Sequence, residues 1–168
     1  IMNMLSLRIN NNTSNAVKGK LSQTIVKLSL IYYMNDTWNS FFHDIINSMN
    51  ISPTHIQMYL LILDTLDEEI ADPLIQRSAE ELKRCNDYKD KMRREQIIPL
   101  LINLVYKICN SNIDMVIIES CIYTMKKYVV WTNIEYYTNP EFISLLVRLL
   151  KVSQLQKEVV KFFTAITM

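Results

Sequence analysis

The chain has 168 residues, 49% of them hydrophobic, with 18 basic against 17 acidic side chains and a formal net charge of +1. That length supports one sizeable core, and the charge balance excludes a globally basic nucleic-acid binder, so any anionic partner must be held by a local patch. One glycine and four prolines cannot punctuate an all-β fold, which needs many tight turns, and no apolar run approaches the roughly 18 residues of a membrane-spanning helix.

The opening "IMNMLSLRI" begins mid-pattern, like the end of a helix. Helical spacing then predicts a helix over 15–34, with Val17, Leu21, Ile25, Leu28, Ile31 and Tyr32 on one face. "NDT" ends it, and Asp36 or Thr37 caps a helix over 37–49 whose stripe is Trp38, Phe41, Phe42, Ile45 and Ile46. Ser52 ahead of Pro53 starts the next, over 53–70, with Ile56, Tyr59, Leu60, Leu63, Leu66 and Ile70 inward. A polar, helix-permissive interval runs from Asp72 to about Asp90 before core spacing returns through Ile97, Leu100, Leu101, Leu104, Val105 and Ile108. The reading is one helical stretch over 76–109, irregular near 86–99. Pro99 lacks an N–H and either kinks it or marks its early turns. Ser111 and Asp114 resemble a capping box opening 112–131. Asn139-Pro140 opens 139–150, and Ser153 opens 153–167. The last stretch, "VVKFFTAITM", stops while still apolar.

Six or so helices joined by short loops, recurring as pairs at about 40 residues or more, are the pattern of a HEAT-type α-solenoid. The expected fold is all-α: about three repeats, forming a single segment over 1–168. A compact helical bundle is the structural alternative. The apolar ends favour a piece of a longer solenoid, because terminal repeats of a complete one carry polar caps.

The chemistry of an enzyme is missing from the sequence. His43 and His55 have no nearby cysteine partner, so no metal site is expected. A single glycine rules out a phosphate-binding glycine loop, and no nucleophile stands with a base. The expectation is a non-enzyme with no cofactor, no metal, no membrane and no small-molecule substrate. Cys85, Cys109 and Cys121, odd in number and without a C-x-x-C, read as reduced thiols.

Two charged stretches stand out. Asp67, Glu68 and Glu69 end a helix, where the macrodipole disfavours acids. They are either a docking surface for a basic partner or a solvated helix end. "YKDKMRREQIIPLL", residues 88–101, places four basic residues ahead of an apolar run. Asp90 with Arg94 and Lys91 with Glu95 form i,i+4 pairs, while Lys89 and Arg93 share a face with no acid between them. This is either a phosphate-contacting stripe or a solvated helix start. Lys107 and "MKKY" at 125–128 add scattered charge.

Four blocks carry a family resemblance. "WNSFFHDI" resembles the W-x-x-F-F-x-D-I that begins a repeat in the tRNA exportins, the exportin-T family of the importin-β (karyopherin) superfamily. "YLLILDTLDEEIAD" resembles that family's Y-L-x-I-L-x-x-I-D-x-E-V-x-D through Tyr59, Leu60, Ile62, Leu63, Asp67, Glu69 and Asp72. Arg94, Glu95, Gln96, Ile98 and Pro99 supply R-E-Q-x-I-P. Cys121, Tyr128, Val129, Trp131, Asn139, Phe142 and Ile143 match C-L-x-x-x-x-x-Y-V-x-W and the following N-x-x-F-I. The blocks are collinear from about Val17 to the C-terminus. Between Asp72 and Lys89 the chain departs from the family in composition and length, and it is far shorter than such an exportin.

The resemblance implies a fragment from the N-terminal half of an export receptor, a HEAT solenoid whose second helices line the concave face. It implies partners RanGTP, tRNA and nuclear pore proteins, and shuttling between nucleus and cytoplasm. RNA held by shape and phosphate needs only dispersed lysine and arginine, and Lys89, Lys91, Arg93 and Arg94 are the tRNA candidates. Asp67, Glu68 and Asp72 are the candidates for Ran. Trp38, Phe42, Tyr59, Pro99, Tyr128, Trp131 and Phe142 read as structural core. The alternatives are a related transport receptor with protein cargo, a generic HEAT scaffold and an all-helical enzyme.

Overall fold

A computed structural model describes residues 13–49 and 52–167, so the reading of "IMNMLSLRI" lies outside the described residues. The fold is all-α, of the HEAT-type class expected from the sequence. Its elements are α1 (Asn15–Tyr32), α2 (Phe41–Met49), α3 (Pro53–Ala71), α4 (Ala79–Arg94), α5 (Ile97–Cys109), α6 (Met115–Val129), a 3-10 turn (Ile134–Tyr136), α7 (Pro140–Leu149) and α8 (Gln156–Thr167). They group into two compact units, one ending at Glu95 and the other starting at Gln96.

In the first unit α1, α2 and α4 all pack on α3. Serine hydroxyls start three of these helices: Ser14 accepts from the Val17 N–H, Ser52 from His55, and Ser78 from Glu81. The buried face of α1 only partly matches the one the apolar spacing marked, sharing Ile25 and, half-buried, Leu21 and Leu28. Ser22, Ile25, Val26 and Ser29 are buried, while Val17, Ile31 and Tyr32 stand exposed. The serines can be buried because each hydroxyl bonds back along its own helix, Ser22 to Gly19 O and Ser29 to Val26 O, both at 2.8 Å. Their small side chains admit neighbours: Ser22 Oγ meets Thr65 Oγ1 at 3.1 Å, and the Tyr88 hydroxyl donates to Ser29 Oγ at 3.0 Å.

The start of α2 also differs from expectation. The N–H groups of Thr37 and Trp38 both bond Tyr32 O at 3.0 Å, and Asp36 takes φ 59°, so residues 33–40 form a turn and the helix begins at Phe41. Asp36 is therefore not a cap. Around this turn Tyr33, Phe41, Phe42 and Tyr88 form a fully buried aromatic cluster. Its edge-on pairs have centroids 4.8 Å apart (Phe41–Phe42) and 5.3 Å apart (Tyr33–Phe42).

The stretch expected as one helix over 76–109 is two. Gln96 adopts the left-handed conformation, φ 57°, ψ 34°, and divides α4 from α5. Pro99 supplies the reason. In a continuous helix its ring would meet the carbonyl of Glu95 and a hydrogen bond would be missing. With the break at Gln96, Pro99 falls in the first turn of α5, where N–H groups have no intrahelical partner anyway.

In the second unit α6 packs on α5, α7 on α5 and α8 on α6. First helix stacks on first and second on second, which is the packing pattern of repeated helical hairpins. Asp114 itself caps α6, accepting from Val116 N–H at 3.0 Å, rather than serving Ser111 as the far side of a capping box. Asn139 caps α7, with Pro140 as its first residue. The helix expected from Ser153 begins at Gln156. Tyr137, Phe142 and Phe162 meet ring to ring at 5.8–6.5 Å in the core.

Of the residues read as core, Phe42, Tyr59, Tyr128 and Phe142 are buried, whereas Trp38, Trp131 and Pro99 are half-buried. The indoles lie against aromatic neighbours, Trp38 on Phe41 at 5.0 Å and Trp131 on Tyr128 at 5.4 Å. Trp38 also donates its N–H to Asp44 at 2.8 Å. Both tryptophans lie beside helix ends, Trp38 ahead of α2 and Trp131 just past α6.

Candidate functional site

The basic stretch builds α4, which starts on a capping box: Glu81 returns a carboxylate oxygen to the Ser78 N–H at 2.7 Å. Tyr88, Lys91 and Met92 are buried against the rest of the unit, and Asp90, Arg93 and Arg94 face out.

Lys91 is therefore not a solvent-facing cation. Its ammonium donates to Tyr33 O at 2.7 Å and to the carboxylate of Asp36, with Asn39 Oδ1 at 3.5 Å. It lies 3.6 Å from Glu95 and 4.5 Å over the Tyr33 ring. Glu95 in turn accepts the Tyr33 hydroxyl at 2.6 Å. Burial, then this bond and the Glu95 charge, hold the Tyr33 phenol well above its ordinary range, and burial does the same for Tyr88. A buried ammonium with its donors satisfied is a structural anchor. It ties α4 to the turn between α1 and α2, and it cannot also reach a phosphate.

The outer face differs from expectation as well. Asp90 pairs with Arg93 at 2.5 Å, i,i+3, rather than with Arg94. Lys89 is half-buried, and burial is the main cause lowering its ammonium from the ordinary lysine range. Arg94 remains exposed. Of the four cations, Arg93 and Arg94 present exposed charge and Lys89 a partly covered one.

At the acidic end of α3, Asp67 is buried and Glu68 and Glu69 are exposed. The half-buried Asp72 accepts the Leu74 N–H at 2.8 Å. Sequence reading missed Arg77, whose guanidinium donates to the carbonyls of Asp72, Glu68 and Glu69 at 2.6–2.9 Å. A cation bridging three terminal carbonyls satisfies the helix end and offsets the dipole that the acids oppose. The signal available was an arginine a few residues beyond a helix terminus. Of the three Ran candidates, Asp67 is buried and Asp72 is engaged in the turn, leaving Glu68, with Glu69 beside it, as exposed carboxylates.

Among the described residues no group of three His, Cys, Asp or Glu side chains is placed to hold a metal ion, and no helix is long and apolar enough to cross a membrane. His55 is buried with Nδ1 2.6 Å from Ser52 Oγ. Burial pushes the Cys109 thiol up to about 12 and the Cys121 thiol well up, so neither is a nucleophile at neutral pH. What the described surface offers is charged helix faces and grooves, the equipment of a binding surface.

Comparison with known proteins matches residues 14–163 to a family described as exportin 1-like protein. The chain belongs to the exportin 1-like family. It is similar to exportin-T of Dictyostelium discoideum, 30% identical over 158 residues, covering 94% of this chain and 14% of that protein. It is likewise similar to exportin-T of Homo sapiens, 29% identical over 148 residues (84% of this chain, 15% of that protein), and of Chaetomium globosum, 33% identical over 139 residues (79% and 13%). The chain thus spans about 15% of the length of these relatives. This exportin-like segment carries R-E-Q-x-I-P at the left-handed break between α4 and α5 and W-x-x-F-F at its aromatic cluster. The family resemblance is thereby attached to positions where backbone and core are decided.

Proposed function

We propose that the chain is a segment of a nuclear export receptor that carries tRNA together with RanGTP and is not an enzyme. The observation that carries this reading is the match to the exportin 1-like family over residues 14–163, with exportin-T proteins among the relatives. The receptor would shuttle between nucleus and cytoplasm and engage nuclear pore proteins on its way. Lys89, Arg93 and Arg94 on the outer face of α4 would touch tRNA phosphates, Lys91 being occupied as an anchor. Glu68 and Glu69, at the exposed end of α3, would meet basic groups of Ran. Such contacts position a folded RNA without reading its bases.

Filter binding of tRNA by the complete protein, with and without RanGTP, tests the reading. tRNA retained only in the presence of RanGTP is the expected result. RanGTP binding with no RNA retention would make this a receptor for protein cargo, and neither binding would leave a HEAT scaffold.

A further inference from the structure

In the second unit a cavity of about 330 Å³ opens between α5, the 3-10 turn and the start of α7. Ile102 and Phe142, both buried, contribute apolar walls, and Tyr106 and Tyr136 line it as exposed and half-buried rings. Glu135 and Glu141 line it too, and both are exposed. Among the described residues of this lining there is no Lys, Arg or His. In a chain of net charge +1, this is a concave site of two carboxylates and two phenol rings with no cation of its own. Asn133 Nδ2 occupies only one oxygen of Glu135, at 3.0 Å. Glu141 stands in the first turn of α7, held there by its N–H to Asn139 Oδ1 at 2.8 Å. A second cavity of about 340 Å³ shares Tyr106 and Glu141, so the depression continues along α7. Its one cation, Arg148, is directed to Asn110 Oδ1.

We infer that this groove is a docking site for an arginine side chain presented by an extended peptide segment of a protein partner. The cavity lies at the low end of ligand-site volumes, about 300–1,000 Å³, which suits one or two side chains rather than a folded element. Charge complementarity fixes the sign of the occupant, since two carboxylates in an aromatic recess attract a cation and repel RNA phosphate. The rings choose between cations. A guanidinium is planar, weakly hydrated, stacks on a tyrosine face and offers parallel N–H donors to a carboxylate. An ammonium keeps its water more tightly and has no such plane. The second cavity gives the flanking peptide backbone somewhere to run.

The test is fluorescence anisotropy of the 168-residue chain with a labelled heptapeptide holding one central arginine in a serine, alanine and proline background. Parallel peptides carry citrulline or lysine in its place. Saturable binding of the arginine peptide is expected, weakened about tenfold or more by citrulline, which keeps the plane and removes the charge. Lysine should weaken it several-fold. Glu135→Gln with Glu141→Gln should cost about tenfold or more, and Tyr106→Ala should weaken binding where Tyr106→Phe, which keeps the ring, does not. All three positions are exposed, so urea midpoints should stay at the parent value and separate impaired binding from impaired folding. Failure of the arginine peptide to saturate at millimolar concentration would overturn the inference. So would equal binding of the arginine and citrulline peptides, equal binding of the arginine and lysine peptides, or a double glutamine variant as tight as the parent. None of these readouts involves RNA or Ran, so they leave the transport reading standing or falling by itself.

Discussion

Lys91 illustrates how little a side chain's type says about its task. Its neighbours Asp90 and Arg93 are surface groups, yet the Lys91 side chain is 6% exposed and its ammonium is bonded to a main-chain carbonyl of another helix end. Its carboxylate partners are not buried with it, Asp36 being 72% and Glu95 35% exposed. After removal of the lysine they can rehydrate, so the loss stays below that for breaking a fully buried pair. Lys91→Met should destabilise the chain by about 2 kcal/mol, the range for hydrogen bonds to a charged group, measured by urea denaturation. In the complete protein, removing Lys89, Arg93 and Arg94 together should make the log–log salt dependence of the proposed tRNA binding shallower, by roughly 0.7–0.9 for each phosphate that is no longer neutralised. Lys91→Met should leave that slope alone. A changed slope for the methionine variant would return Lys91 to the proposed phosphate contacts.

At the scale of elements, two junctions depend on a single residue each. Gln96 holds a left-handed conformation that costs a residue with a Cβ about 1–2 kcal/mol. Gln96→Gly should therefore raise the thermal midpoint, by a stabilisation of about 1 kcal/mol after the added freedom of the unfolded chain is deducted. Gln96→Pro should unfold the junction, since proline cannot reach positive φ. Arg77 is the second. Its bonds to the carbonyls of Glu68, Glu69 and Asp72 close the end of α3, and Arg77→Ala should cost about 1 kcal/mol. Hydrogen exchange should rise first at Ile75 and in the last turn of α3. Both junctions lay partly within reach of the sequence. Pro99 signalled either a kink or the early turns of a helix, and Ser78 with Glu81 is a capping box spelled out in the polar interval. Gln96 could not be foreseen, because glutamine has no special tolerance for the left-handed region. Its conformation is imposed by the proline three residues on.

For the molecule as a whole, acid response separates structural charge from surface charge. Glu158 is 9% exposed at its side chain and bridges Lys161 on its own helix, at 2.6 Å, with Lys126 of α6 at 3.4 Å. The hydrogen bond from Lys161 is the main cause holding its carboxyl below the ordinary range. A depressed folded-state value contributes stability that is fully present above the unfolded-state range and is lost as pH falls through the folded one. Unfolding midpoints should accordingly drop more steeply between about pH 5 and pH 3 for the parent than for Glu158→Gln. Parallel acid profiles would mean the bridge contributes nothing.

Fold class followed from the sequence alone, because one glycine, regular apolar spacing and serine or asparagine caps leave a chain no stable choice but helices, and those are local properties. The family blocks were legible for the same reason, as strings of neighbouring residues. Which face of α1 is buried, where α2 begins, which cation of α4 is an anchor and which acid of α3 faces out were settled only by packing. Apolar periodicity assigns inward faces by hydrophobicity, and it fails where small serines satisfied by their own helix let neighbours approach, as at Ser22 and Ser29. Ion pairs likewise follow distance in space rather than spacing along a helix. Asp36 and Lys91, 55 positions apart, could be joined only by the turn that brings them together.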